Sequence, residues 1–170
     1  MKFQEVLEKR YSVRSYKSTP VEQEKIQAIL ESSRLAPTAK NSQPQKLFLA
    51  NTEEALLKVD LVTPNRFGAP AVIILCGDTE RACILKSNGR NFLETDMSIV
   101  QTYMMLKATE LGLGTCWIGR FDAEKFYQTF NVDRRYVPLG ILLIGYKSDD
   151  SVPGPNHDKR LDLSEVVEVL

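Results

Sequence analysis

The sequence has little histidine, no paired cysteine pattern and no net charge. Among 170 residues it has one histidine, His157, three cysteines, Cys76, Cys83 and Cys116, and equal counts of basic and acidic residues, 22 each. A lone histidine without cysteines at ligand spacing argues against a zinc site. Three scattered thiols make no disulfide framework and suit a reducing cytosol. Balanced charge leaves no basic stripe for nucleic acid, so any bound anion must be met by a few local cations. No apolar run approaches the ~18 residues that would span a bilayer. The longest, residues 71–76 and 141–144, have strand length. There is no Gly-x-Ser-x-Gly elbow, and His157 sits in a proline-rich tail, a poor place for a triad base. The charged start, Met1-Lys2-Phe3-Gln4-Glu5, is unlike a signal peptide, and a cytoplasmic location is expected.

What is present reads as one ordinary globular domain over residues 1–170, with 151–170 as an extended C-terminal tail. Hydrophobic residues are 43% and charged residues 26%, enough apolar material for a core in a chain this long. Phe3, Val6 and Leu7 have helical spacing. Thr19-Pro20-Val21-Glu22 has the form of a capping box opening a helix that buries Ile26, Ile29 and Leu30. Residues 46–50 read as a strand, and Thr52-Glu53-Glu54 caps a short helix carrying Leu56, Leu57 and Leu61. Residues 71–76 form a second strand, while 77–91 have no clear pattern. Residues 92–111 are the strongest helix: Leu93, Met97, Val100, Met104, Ala108 and Leu111 recur on one face. Ile99, Tyr103 and Leu106 make a second apolar stripe, as expected of a helix covered on two sides, one of them by another subunit. A short strand over 115–119, a helix capped by Asp122 and a strand over 137–146 complete an α+β layer fold.

Several segments carry chemistry, each with a plainer reading beside it. Arg10-x-Ser12-x-Arg14 places two guanidinium forks and a hydroxyl within five residues. Such forks suit a phosphate, although two solvated arginines in a surface turn explain the segment equally well. Asn41-Ser42-Gln43-Pro44, with Thr38, offers amides and hydroxyls for a flavin edge or an ordinary turn before a strand. Residues 112–119 hold three glycines but fail the dinucleotide fingerprint, because Trp117 stands where its third glycine belongs. They fail the Walker pattern too, with Arg120 and Phe121 after Gly119. Gly112 and Gly114 suit the end of the long helix. Lys159 and Arg160 are cations far along the chain from Arg10, or a solvated tail. Glu94 and Asp96 suit the positive end of the long helix better than acid–base work.

Taken together, these segments resemble the nitroreductase-like flavoenzymes along nearly the whole chain. The resemblance lies in Arg10-Tyr11-Ser12-Val13-Arg14, residues 36–44, Ala69-Pro70-Ala71-Val72-Ile73, residues 112–119, and Lys159-Arg160 before an apolar end, in that order and spacing. It implies a three-layer α/β/α fold with a central, mostly antiparallel sheet, an intertwined homodimer, and FMN in a cleft at the dimer interface. Arg10, Ser12, Lys159 and Arg160 are then similar to the family's phosphate contacts, and Tyr11 counts among the cofactor-binding residues. Arg14 resembles the residue reaching the ribityl chain or the N1/C2 edge, where a cation stabilises reduced flavin. Pro37, Thr38, Ala39, Asn41 and Gln43 look like the loop lent by the other subunit. Trp117, Ile118, Gly119 and Arg120 resemble the segment whose backbone amides lie near N5. Asn65 falls in a region too gapped against the family pattern to read as a contact, and residues 79–91 lie where members differ.

The implied chemistry is ping-pong, with NADH or NADPH as donor and a nitroaromatic, quinone or similar small acceptor. It needs no metal and no catalytic side chain, because FMN carries the reaction. Two rivals stand beside it: a relative with different flavin chemistry, such as flavin destruction or dehalogenation, and a non-catalytic flavin-binding or redox-sensing protein.

Overall fold

The computed structural model describes residues 1–170. Its elements run α1 (Phe3–Lys9), α2 (Gln23–Leu35), β1 (Gln45–Ala50), α3 (Glu53–Val62), β2 (Ala71–Asp78), α4 (Leu93–Glu110), β3 (Gly114–Ile118), α5 (Ala123–Phe130), β4 (Tyr136–Gly145) and α6 (Leu163–Val166). The sheet order is β1-β2-β4-β3, and every neighbouring pair is antiparallel. All residues of β2 are buried, which is why it reads as an unbroken apolar run rather than an alternation.

The pleat sends alternate residues of the central strands into two different cores. Ala71, Ile73, Leu75, Leu142 and Ile144 join Ile26 and Ile29 of α2 and Met97, Val100, Met104 and Ala108 of α4. Val72, Ile74, Cys76, Ile141 and Leu143 join Val59 and Val62 of α3 and Phe126 of α5. Pro138 lies within β4, a central strand, where its missing N–H would break the ladder. The register slips between Leu75 and Cys76, so that Leu139 is passed over and Pro138 falls at a bulge. Long α4 ends as its glycines foretell. Gly112 has φ +80°, its N–H donates to the Thr109 carbonyl, and Leu113 N–H reaches back to Ala108, a Schellman closure.

Some local expectations are corrected. α2 begins at Gln23, later than the Thr19–Glu22 capping box implies, and Glu22 is the N-cap residue without a side-chain cap. The Glu22 carboxylate instead accepts from the Tyr146 hydroxyl at 2.7 Å, a tertiary partner that outcompetes the local one. In α3, Val59 and Val62 are buried and Leu56 packs against the same core, while Leu57 and Leu61 are largely exposed. The Thr52 cap holds, accepting from Ala55 N–H at 3.3 Å, and Asp122 caps α5 likewise through Lys125 N–H. The first stripe of α4 is buried, with Leu111 half-buried. Of the second, Ile99 and Leu106 are half-buried and Tyr103 is exposed. No helix is long and apolar enough to cross a membrane.

After β4 the chain turns back along residues 15–17. Lys17 N–H donates to the Tyr146 carbonyl at 2.8 Å, Ser148 N–H to Ser15 at 3.0 Å, and Lys17 pairs with Asp149 at 2.6 Å. This antiparallel contact brings the tail beside the segment that follows α1.

Candidate functional site

Residues 10–14 are not a loose turn but an extended segment on the free edge of β3. Val13 N–H donates to the Thr115 carbonyl at 2.9 Å, and Ser12 forms a parallel bridge with Thr115. Close approach depends on Gly114, where an ideal Cβ would stand 2.8 Å from a Val13 methyl. An extended backbone alternates its side chains, so Tyr11 and Val13 turn inward and are buried. Arg10, Ser12 and Arg14 turn the other way. The Arg-x-Ser-x-Arg spacing is thus a period-two pattern, with its polar half on one side.

The tail closes over this segment. The Tyr11 hydroxyl donates to the Ser151 carbonyl at 3.1 Å, the Lys147 ammonium lies 5.5 Å from the Tyr11 ring centre, and the His157 ring meets its edge at 6.0 Å. His157 N–H donates to the Gly154 carbonyl at 2.9 Å, and Arg160 is held by the Lys159 carbonyl at 2.7 Å. A cavity of about 460 Å³ results, lined by Arg10, Tyr11, Ser12 and Arg14 from one end of the chain and Gly154, Pro155, Asn156, His157 and Arg160 from the other. It contains three guanidinium groups and no carboxylate, and none of the three has an acidic partner within 4.0 Å. Behind it the wall stays neutral: burial pushes the Tyr16 phenol and the Cys116 thiol up, with Arg14 pulling the opposite way on both. Unpaired arginines repel one another, so this arrangement is suited in charge to an anion.

The remaining sequence candidates lie elsewhere. Lys159 does not line this cavity; its carbonyl takes part by holding Arg160. Pro37, Thr38, Ala39, Asn41 and Gln43 form a second group around a single 3₁₀ turn, Ala39–Asn41. Lys40, Asn41 and Gln43 all have positive φ, and the Thr38 hydroxyl accepts from Gln43 N–H at 3.0 Å. Asp96 fastens the loop: its Oδ1 accepts from Ala39 N–H at 2.9 Å, and its Oδ2 is buried without a partner. Asp96 therefore serves the loop as well as the helix dipole.

The third group follows β3. The Ile118 side chain is buried in the core, and its backbone is turned toward β4, where Ile118 pairs with Ile141. Trp117 borders a small cleft of about 240 Å³ with Glu94, Gln101 and Leu139. Thr115 offers its carbonyl to the free edge, so by alternation Trp117 presents its own N–H and C=O there. Gly119 and Arg120 are exposed, and the Arg120 carbonyl accepts from the Thr63 hydroxyl at 2.8 Å. Within one chain neither of these groups lines the arginine cavity.

Sequence reading missed His157 and the turn before Arg160 as parts of the site. The available signal was spacing: the only histidine stands three residues before a cation already singled out. Its value depended on knowing that the tail returns to Tyr11.

Comparison with known proteins agrees with this layout. The Nitroreductase family model matches residues 7–78 and 60–146. The crystal structure of a nitroreductase family protein from Clostridium difficile 630 is 37% identical, with a TM-score of 0.91 over 99% of this chain and 98% of that one. A Bacillus subtilis protein named FMN reductase [NAD(P)H] is 29% identical over 162 residues, 85% of this chain and 65% of the relative. A chain from Exiguobacterium sibiricum 255-15, solved in complex with FMN, shares the fold at 21% identity with a TM-score of 0.83, covering 100% and 98%. A four-stranded antiparallel sheet packed with helices is the fold this chain shares with these solved structures. The chain belongs to the nitroreductase family.

Proposed function

We propose that the chain binds FMN and acts as an NAD(P)H-dependent oxidoreductase on small acceptors such as nitroaromatics and quinones. The carrying observation is the carboxylate-free cavity in which Arg10, Ser12 and Arg14 meet Arg160. The two positive forks of Arg10 and Arg160, with the Ser12 hydroxyl, suit a phosphate monoester dianion in charge and hydrogen-bonding capacity, and the site thus fits the phosphate end of this cofactor. The name and ligand of the two relatives above support the same reading.

The chemistry FMN supplies when bound is acceptance of hydride from NADH or NADPH and its delivery to a second substrate, a ping-pong cycle. The chain's own residues bind and orient. Arg10, Ser12 and Arg160 hold the phosphate, with Lys159 stationing Arg160 through its carbonyl. Arg14, the most exposed end of the segment, reaches toward the ribityl chain and ring, where its charge favours the reduced state. The free-edge backbone of Trp117, with Gly119 and Arg120, donates to the ring. Pro37, Thr38, Ala39, Asn41 and Gln43 supply the remaining contacts from a second copy.

A homodimer is part of the proposal, because one chain leaves the three groups apart and leaves Tyr103 and Leu106 of α4 uncovered. Two core clusters, each with its own helices, support the three-layer α/β/α reading. In this reading residues 1–170 are one domain, and the exposed Leu161, Leu163, Val166 and Val169 of the tail pack on the partner.

The test is an absorbance spectrum of the purified protein before and after NADH, then turnover with a quinone and a nitroaromatic. A flavin spectrum that bleaches with NADH or NADPH and recovers with an acceptor is expected. Colourless protein that refuses added FMN would refute the reading, and a bound flavin that neither nicotinamide reduces would move the chain to flavin storage.

A further inference from the structure

Between β2 and α4 the chain makes a short hairpin. Leu85 N–H donates to the Arg90 carbonyl at 3.0 Å, Gly89 N–H returns to the Leu85 carbonyl at 2.8 Å, and Ile84 forms an antiparallel bridge with Asn91. Phe92 N–H donates to the carbonyl of buried Cys83 at 3.0 Å, which ties the hairpin to the start of α4. Residues 81–93 contain Arg81, Lys86 and Arg90 and no acid. All three cations are exposed, and none has a carboxylate within 4.0 Å. The acids at the base of the hairpin are already engaged, because Arg135 pairs with Asp78 at 3.0 Å and with Glu80 at 2.8 Å. The Arg90 guanidinium lies 4.6 Å from the Phe92 ring centre, a contact that steadies its long side chain.

The hairpin is rooted beside the amide-rich loop at both ends. Asp78 N–H donates to the Pro44 carbonyl at 2.7 Å, and Asp96, about one helical turn beyond Phe92, holds Ala39 N–H at 2.9 Å. Lys40 in that loop is also exposed and has no acidic partner. We infer that this basic hairpin, with Lys40, receives the phosphates of the reducing nucleotide, so that NADPH is preferred to NADH. The inference rests on the flavin-reductase reading and names the donor used at that same site. In that reading the amide-rich loop flanks the flavin ring, so a dinucleotide whose nicotinamide reaches the ring lays its phosphates over what stands beside the loop. The diphosphate of either nucleotide is a dianion, and the 2′-phosphate of NADPH adds a charge of about −1.5 to −2. Arg81, Lys86, Arg90 and Lys40 together match the larger total. Contacts between exposed charges are individually weak, so the preference is shared among them and is screened by salt.

The measurement is rapid-mixing reduction of the bound flavin in the FMN-loaded full-length protein, without oxygen. The donors are NADPH, NADH and 1-methyl-1,4-dihydronicotinamide, which has no phosphate. In the natural chain the dissociation constant for NADPH should be about tenfold below that for NADH, and the gap should shrink between about 20 and 200 mM salt. The triple variant Arg81→Gln, Lys86→Gln, Arg90→Gln should close the gap by weakening NADPH about tenfold. Its limiting rate and its response to the phosphate-free donor should not change, and its FMN content shows that it is folded. Equal affinity of the natural chain for NADH and NADPH, or a gap indifferent to salt, would overturn the inference while leaving the FMN reading intact. So would a flavin-loaded triple variant that keeps the gap, or one that loses the phosphate-free donor equally. The comparison in the natural chain decides by itself if the variant loses its flavin. A bound flavin that none of the three donors reduces would overturn the reductase reading as well.

Discussion

The close approach of Val13 to Gly114 holds the whole cation segment against the sheet, and it can be tested by filling the gap. An ideal Cβ at position 114 lies 2.8, 3.2 and 3.3 Å from the Val13 atoms Cγ2, Cβ and Cγ1. Val13 is 1% exposed. Over-packing of this kind costs about 1–3 kcal/mol. Position 114 does not need the left-handed backbone, so alanine also gains about 0.4–1 kcal/mol by restricting the unfolded chain. Gly114→Ala should thus destabilise by about 1–2 kcal/mol net. Val13→Ala alone removes two buried methyl groups, about 1.6 kcal/mol before any cavity cost. In the double variant the new methyl occupies the vacated space, so the two effects should fall short of additivity by at least about 1 kcal/mol. Urea unfolding followed by the fluorescence of the single tryptophan, Trp117, reads all four proteins. FMN retention should follow the same cycle, low in Gly114→Ala and recovered in the pair. A Gly114→Ala protein as stable as the natural chain, or additivity within about 0.3 kcal/mol, would refute the account of how the arginines are placed.

Other expectations concern single groups. Arg10→Ala should leave the fold intact and lower FMN affinity about tenfold or more, the value of a charge-assisted phosphate contact of about 1.5–3 kcal/mol; fluorescence titration checks it. Asp96→Ala removes the acceptor for Ala39 N–H, so amide exchange at Ala39 should speed up while α4 stays protected. Burial pushes the Cys76 thiol up to about 12, well above its unfolded value. The folded state holds that proton after the unfolded chain has lost it. Stability from this group is therefore intact below about pH 9 and lost between about pH 9 and 12, at up to about 1.4 kcal/mol per unit. Cys76→Ala should flatten that part of a stability–pH curve, and an unchanged alkaline slope would contradict it.

Much of the fold could be read from local pattern. The 3.6 periodicity of residues 92–111, the Thr52 and Asp122 caps and the apolar runs of β2 and β4 depend on neighbours within one turn or one pleat. They appear in the structure as expected. The α2 start failed because a distant hydroxyl, Tyr146, took the carboxylate that the local motif would have used. Which apolar residues of α3 face the core was not legible: Val59 and Val62 fill it while Leu57 and Leu61 stay exposed.

For the site, sequence alone determined the residue types: arginines at positions 10, 14 and 160, a hydroxyl at 12, an amide-rich loop and a glycine-bearing strand end. It also argued against the competing chemistries of zinc, Walker loops and triads. Only the tertiary structure decided that Arg10 and Arg160 share one cavity, that Lys159 is outside it and that His157 is within. The physical reason is that sequence spacing constrains geometry over a few residues only. A contact across some 150 residues is fixed by the pairing of residues 15–17 with 146–148 and by the absence of a side chain at Gly114.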